Sequence, residues 1–483
     1  MTETPHVPTP EQLAAHRHLA AELTSRWPEH KIGRSQGRIR ALCDLLGNPE
    51  TAAPVIMVTG TNGKGSTAAM IDALLRSLGL RTGRLSSPHL IDLTERICLD
   101  GEPVAVDVFA QAWEQIAPMV AMVDEQQIDG TALTFFEVIT ALGYAIFADA
   151  PVDVVIAEVG MGGTWDATNI VDAQVAVITP IDLDHTNHLG TSVAEIAAEK
   201  AGIIKAGATA VIAGQQAAAA TVLLERCSEV GALPVLEGPG FGVLERSRAV
   251  GGQLLRLQTA EGPLGDLHLP LHGEHMASNA AQAIAAVEAF LGGKPLSREV
   301  IEDGLAAVEA PARLELMRQS PPIVLDTAHN PHGVRATLAG AVEAFGFQPM
   351  IGIVAMMRDK DVDAVMGLLA EVLDQVVVTQ VASTDRGMGV DELADIAEGH
   401  FGAARVSRAD SIAGAIELAT TLADQGGAGA GVLMLGSVIA AGEARALLLP
   451  VKLAEQGEAD TDALLRVGPS RSDLGLDDKD GDW

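Results

Sequence analysis

The run VTGTNGKGST (58–67) joins a short apolar segment, APVIMVTG (53–60), to a helical stripe of Met70, Ile71, Leu74, Leu75 and Leu78. Glycines at a strand-to-helix turn let several backbone N–H groups approach one anion, and the helix dipole favours negative charge there. Thr61, Asn62, Gly63, Lys64, Gly65 and Ser66 therefore form a candidate polyphosphate cradle, with Lys64 placed to reach β- and γ-phosphates. The spacing departs from the general GxxxxGK[ST] pattern. Val58 occupies the first glycine's slot, and Gly65 separates Lys64 from the Ser66 hydroxyl. An ordinary glycine-rich turn is the plainer alternative, but strand, loop, lysine and helix together favour a nucleotide. No Asn-Lys-x-Asp base-reading motif accompanies the loop, which argues against a GTPase.

Four more segments place proton- or metal-binding groups after probable strands or on the next helix. LSSPHL (85–90) carries Ser87 and His89, and IAEVGMGGTWDATN (156–169) carries Glu158 at the end of an apolar run. LDHTNHLG (183–190) presents His185, and EKAGI (199–203) puts Lys200 on a helix. Open parallel sheets bind ligands at their strand C-termini. Hydroxyl, carboxylate and imidazole there could ligate Mg²⁺ around phosphates, although imidazole is an unusual ligand for so hard an ion. Each group also has a plain reading. Ser87 could cap a turn, Glu158 could pair with an arginine, and Lys200 could be a solvated helix lysine. His185 and His188 are spaced like a zinc pair, yet no cysteine lies nearby to complete one. Only the joint occurrence, in order, outweighs those readings.

That ordered set resembles the folylpolyglutamate synthase/dihydrofolate synthase family of the Mur ligase superfamily, from about residue 30 to about residue 445. Ala157 stands where a larger aliphatic is usual, a packing change only. By this resemblance Ser87 and Glu158 would hold one Mg²⁺, while Glu158, His185 and a carbamylated Lys200 would serve a second. Ser87, His89, Trp165, Asp166 and the TFFE segment (Thr134, Phe135, Phe136, Glu137) fall among the segments implied to bind substrate; TFFE and Asp166 match positions that contact the pteroate. KIGRSQGR (31–38) matches the family's early substrate loop only loosely. Asn279 in HMASNAAQA (275–283) would contact adenine, Arg313 phosphate, and Asp326 in VLDTAHNPHG (324–333) ribose. Read from the residues alone, Asp326 ends an apolar strand, a poor place for an unpaired carboxylate; a satisfied turn aspartate is the alternative. The implied enzyme is an ATP-dependent amide ligase that joins L-glutamate to dihydropteroate or a reduced folate through an acyl phosphate. Lys64, Glu158, His185, Lys200 and Arg313 would carry the chemistry. A Mur-type peptidoglycan ligase and a non-catalytic ATP switch are the rivals. SSPHL and TFFE disfavour the first, and a switch has no need of the metal set.

These groups must be positioned by elements, and apolar runs alternate with helical periodicity through most of the chain. Strands are expected within 53–60, 153–160, 173–180 and 209–214, and a helix over 192–204. A second series, 323–328, 349–357, 375–380 and 431–437, begins after PARLELMRQSPP (311–322). The expected fold is α/β: a P-loop-type, mainly parallel-sheet ATPase domain over 1–308, then a smaller Rossmann-like domain over 322–452. A linker over 309–321 would join them, with a helical extension over the first 25 or so residues. The stretch from Leu453 carries nine acidic and three basic residues and reads as a frayed tail. His268, His272 and His275 are expected on a hairpin or loop.

Composition narrows the partners. Over 483 residues, 32 basic against 64 acidic residues leave a formal charge of −32. So large a deficit disfavours nucleic acid or an anionic membrane, which need clustered Lys and Arg. Aromatics at 3% weaken base-stacking readings further. Three scattered cysteines and a start without an apolar leader suggest a reducing, cytoplasmic setting. The family resemblance suggests a monomer acting on small molecules.

Overall fold

A computed structural model describes residues 8–26 and 33–456. They fall into two compact units: those up to His89 with Leu93–Pro270 and His275–Glu309, and Leu90–Asp92 with Leu271–Glu274 and the residues from Ala310 on. The stretch 457–483, most of the acidic tail, lies outside the described residues.

The first unit is built on eight strands: β1 (Val55–Thr59), β2 (Thr82–Leu85), β3 (Ile97–Leu99), β4 (Glu102–Pro103), β5 (Val154–Glu158), β6 (Val175–Ile178), β7 (Thr209–Ile212) and β8 (Leu233–Leu236). Their order is β4-β3-β2-β5-β1-β6-β7-β8. The run from β2 to β8 is parallel; β3 and β4 are added antiparallel at one edge. Every residue of β1, β5 and β6 is buried, as expected of strands covered on both faces. That is why they read as unbroken apolar runs. The chain leaves β1 toward β2 on one side and later returns through β6 on the other. The crevice beside the C-terminal end of β1 is therefore a topological switch point.

The same unit contains an antiparallel meander of β9 (Gly242–Ala249), β10 (Gly252–Thr259) and β11 (Gly262–Leu269). His268 lies on β11, but His275 lies on the helix Glu274–Phe290 rather than on a hairpin or loop. The expected helix over 192–204 is shorter. An α-helix spans Val193–Lys200, and a 3₁₀ turn, Ala201–Ile203, follows it. The N-terminal extension is the helix Pro10–Ser25, opened by a Thr9–Gln12 capping box.

The second unit holds β12 (Glu315–Gln319), β13 (Pro322–Leu325), β14 (Met350–Val354), β15 (Gln375–Val378), β16 (Val406–Arg408) and β17 (Gly431–Leu435) in the order β12-β13-β17-β14-β15-β16. All pairs are parallel except β12 with β13. Separate hydrophobic clusters cover the two faces of this sheet. Residues 309–321, expected as a linker, include the edge strand β12. Only Met317 of that strand is buried, which left too little apolar pattern to mark it. The protein is thus mixed α/β, a larger parallel-sheet domain with a smaller α/β domain.

Cys43, Cys98 and Cys227 are free and buried. Burial pushes each thiol up from its ordinary pKa, with Glu50 adding to the effect at Cys43. Among the described residues no helix is long and apolar enough to cross a membrane.

Candidate active site

The candidate phosphate loop leaves β1 and is stapled to the end of β6. Thr61 N–H donates to the Pro180 carbonyl at 3.0 Å. Its hydroxyl donates to the Asp182 carbonyl at 2.9 Å and accepts from Asp182 N–H at 3.0 Å. Thr179 Oγ1 donates to the Asn62 carbonyl at 2.7 Å. Gly60 has φ +150°, and a Cβ there would fall 1.8 Å from Thr179 Oγ1, so only glycine fits. Gly63, at φ +87°, starts the helix Lys64–Ser77, and a Cβ there would lie 2.9 Å from Asn279 Oδ1. Asn279 is buried on the helix Glu274–Phe290, so its amide lies against the loop. Lys64 Nζ lies 3.3 Å from the Thr61 carbonyl, and Ser66 is buried in the first helical turn.

Glu158 ends β5 beside this loop. It is 5% exposed, and a Cβ on Gly65 would stand 3.5 Å from its Oε2. The same oxygen accepts the Ser87 N–H at 3.2 Å. Carboxylate, Ser87 and loop are therefore adjacent, because β2 and β5 are neighbours and both end there. Lys200, the last residue of its helix, is buried and donates from Nζ to the Gly60 carbonyl at 2.7 Å. Desolvation, with the Lys64 charge second, lowers its pKa to about 7. His185 holds a left-handed φ of 49° at the start of the short helix Thr186–Leu189, and its Nε2 lies 3.9 Å from Asp184 Oδ1.

The expected substrate residues divide into two groups. Thr134 and Glu137 form a capping box at the start of the helix Phe135–Asp149. Glu137 also meets buried Arg38, with Nε to Oε2 at 3.1 Å and Nη2 to Oε1 at 3.1 Å. Phe135 is a core residue under the Arg96 guanidinium, 5.0 Å from its ring centroid. These three side chains are engaged in structure. Phe136 lies against Gly160, where a Cβ would come within 2.6 Å of its ring, and Trp165 is half-buried. His89 Nδ1 accepts from Arg96 Nε at 2.7 Å. Asp166 is 3% exposed and accepts Met161 N–H, Thr168 N–H and the Thr168 hydroxyl. Desolvation raises its pKa, and those bonds oppose the rise. Sequence reasoning missed Arg38 and Arg96. A Thr-x-x-Glu box before an apolar helix was a readable signal for the role of Glu137.

In the second unit, Arg313 donates to the Thr327 hydroxyl and is flanked by Ala312 and Leu314, both at positive φ. Asp326 is 3% exposed, with Oδ1 accepting Ala328 N–H and the Thr337 hydroxyl and Oδ2 accepting Leu314 N–H. It is the satisfied turn aspartate that burial demands. Among the described residues its Oδ2 has one donor, so a second acceptor site remains on that oxygen.

The chain matches the Mur ligase middle domain over residues 106–287 and the Mur ligase glutamate ligase domain over 312–438. It is 44% identical over 465 residues to the dihydrofolate synthase/folylpolyglutamate synthase of Mycobacterium tuberculosis, covering 91% of this chain and 95% of that one. The chain belongs to the dihydrofolate synthase/folylpolyglutamate synthase family. Folylpolyglutamate synthase of Lacticaseibacillus casei is 36% identical over 353 residues, 73% of this chain and 82% of that protein. The M. tuberculosis folylpolyglutamate synthase complexed with ADP superimposes with a TM-score of 0.87, covering 90% of this chain and 99% of that one. An FPGS–AMPPCP–folate complex gives a TM-score of 0.79 at 30% identity, with 90% and 99% covered. Family members are ATP-dependent ligases, and this chain is one.

Among the described residues no three His, Cys, Asp or Glu side chains gather as a ready metal group. Beside the candidate phosphate loop, the adjacent residues Ser87 and Glu158 supply a hydroxyl and a carboxylate, oxygen donor types that suit Mg²⁺. A site shared with phosphate oxygens needs no more from the protein.

Proposed function

We propose that this enzyme joins L-glutamate to dihydropteroate, to the γ-carboxylate of reduced folates, or to both, at the expense of ATP. The observation that carries the reading is the buried Glu158 carboxylate held by Ser87 N–H against Gly65 of the phosphate loop. A carboxylate oxygen is a poor leaving group toward an amine. Transfer of the γ-phosphoryl to the substrate carboxylate releases ADP and makes an acyl phosphate. The glutamate amine then attacks its carbonyl carbon, loses a proton and expels inorganic phosphate. Positioning and electrostatics dominate such a reaction. Lys64 faces the charge that develops on the transferred group, and the loop N–H groups hold its neighbours.

Ser87 and Glu158 would hold one Mg²⁺, and Glu158, His185 and carbamylated Lys200 a second; bound there, the ions would neutralise phosphoryl charge. Carbamylation fits the surroundings of Lys200, since a buried ammonium beside Lys64 meets desolvation and like charge, whereas a carbamate meets neither metal nor lysine with repulsion. Phe136, Trp165, Asp166 and His89 form the substrate side in this reading. Asn279 serves adenine, and Arg313 and Asp326 are the proposed phosphate and ribose contacts. The enzyme acts as a cytoplasmic monomer on small molecules. Purified protein supplied with ATP, L-glutamate and either dihydropteroate or a reduced folate should release ADP and form the glutamylated product. Absence of product with both pterins, or turnover only with a peptidoglycan precursor, would overturn the reading.

A further inference from the structure

The short segment 33–38, which leads into the first turn of the helix Gly37–Leu45, reaches four separate parts of the first unit. Arg34 donates to the His188 carbonyl, and the Ser35 hydroxyl to the Asp129 carboxylate. Arg38 pairs with Glu137, as described. Gln36 sits among them and does something different. Its Oε1 accepts from Arg40 at 2.9 Å, which sets the orientation of the amide. Nε2 then faces three carbonyls, those of Asp166 at 2.9 Å, Asn169 at 3.1 Å and Thr164 at 3.2 Å. Two N–H hydrogens serve three acceptors, so at least one bond is shared. Three carbonyl oxygens turned toward one point repel each other unless a donor occupies it. The Asp166 carbonyl also accepts Asn169 N–H at 3.0 Å and the Thr164 carbonyl meets Asn169 Nδ2 at 3.4 Å, so the Gln36 amide acts with Asn169 in fixing the curl of the loop 164–169 and alone ties its three carbonyls to the segment 33–38. Trp165 and Asp166 lie inside that curl, and the Asp166 carboxylate is aimed by its bonds to Met161 and Thr168.

We infer that Gln36 is a specificity-determining positioning residue, whose amide shapes the 164–169 loop that presents Trp165 and Asp166 to the pterin end of the substrate. The inference rests on the assignment of those two residues to the substrate under the proposed function. It makes a chemical demand on position 36: a side chain of glutamine's length that donates rather than accepts. Glutamate has the length but would set a carboxylate oxygen against three carbonyl oxygens. Alanine would remove the shared donor, leaving the Asn169 carbonyl to water while those of Asp166 and Thr164 keep only their bonds from Asn169.

The test compares wild type, Gln36→Ala and Gln36→Glu in steady-state turnover, with KM measured separately for the pterin substrate and for ATP, and with melting temperature recorded. The expected result is a KM for dihydropteroate or reduced folate raised about tenfold by alanine and further by glutamate. The KM for ATP should stay within about twofold, because no phosphate-loop residue touches the amide. A residue that served stability alone would lower the melting temperature and move both constants together. Tryptophan emission should report the same split, the change on folate binding being reduced in both variants. Normal wild-type turnover with an unchanged pterin KM in both variants would overturn the inference alone, as would parallel shifts in both constants. A wild type that turns over neither pterin would overturn the proposed function and this inference with it.

Discussion

Replacing Gly63 by alanine tests the phosphate loop with a magnitude that follows from geometry. Two costs arise at once. Gly63 stands at φ +87°, and an L-residue in the left-handed region costs about 1–2 kcal/mol. The new methyl would also lie 2.9 Å from Asn279 Oδ1 and 3.3 Å from its Nδ2, so the buried amide must turn away. Gly79→Ala separates the two effects, since Gly79 has a similar φ of +79° but open space around a Cβ. It should lose about 1 kcal/mol of stability and leave nucleotide binding alone. Gly63→Ala should lose more stability and should weaken ADP or AMPPCP by about 10- to 30-fold, the factor that corresponds to about 1.4–2 kcal/mol. Calorimetric titration measures the affinity, and urea unfolding the stability. Adding Asn279→Ala should relieve the steric part while the backbone strain persists, so the double variant should be more stable than the sum of the singles predicts. Nucleotide affinity within twofold of wild type in folded Gly63→Ala would refute the placement of the phosphates on this loop.

Three further outcomes follow from other residues. Lys64→Ala should lower kcat by about 10²–10³ while sparing folate binding, because its charge matters chiefly in phosphoryl transfer; near-normal turnover in a folded variant would reject that role. Lys200→Ala should lose most ligase activity and regain part of it with added short carboxylates, whereas Lys200→Arg should be inactive and beyond rescue; wild-type turnover in the alanine variant would end the carbamate reading. Burial works to raise the Glu315 pKa, but the charges and side-chain hydrogen bonds of Arg445 and Lys452 hold the carboxyl below its ordinary value. A depressed carboxyl stabilises the fold above its unfolded pKa, and that contribution fades as pH falls through the folded value, so it should be lost below about pH 4. Glu315→Gln should therefore cost about 2 kcal/mol near pH 7 and little at pH 3, read from urea midpoints.

What the sequence made legible follows from how each element is buried. β1, β5, β6, β14 and β17 are covered on both faces and lie within the apolar runs where strands were expected. β9 could not be found this way, because GVLERSRA is largely exposed and shows no apolar alternation. β12 escaped for the same reason. Gly63, Glu158 and Ser87 come together because strand ends meet at one crevice, and the helix Glu274–Phe290 brings Asn279 against Gly63. The substrate side was harder to read. Thr134 and Glu137 look like ligands in a motif, and the structure gives them a helix cap and, for Glu137, Arg38 as partners that the motif did not announce. Gln36 was legible only as part of the loosely matching segment 31–38, since a polar residue ahead of a helix says nothing about which carbonyls it will meet.

The three buried thiols have a practical consequence. A thiol reacts as its thiolate, and burial keeps Cys43, Cys98 and Cys227 protonated and out of reach. The native chain should therefore be nearly silent toward maleimides, and resistant to mixed-disulfide formation, for as long as it stays folded. A single cysteine placed at Val250, fully exposed in the turn between β9 and β10, would become the preferred point of attachment for a dye or spin label without removal of any natural cysteine. The natural thiols would then serve as a clock for unfolding, each becoming reactive only when the packing around it opens.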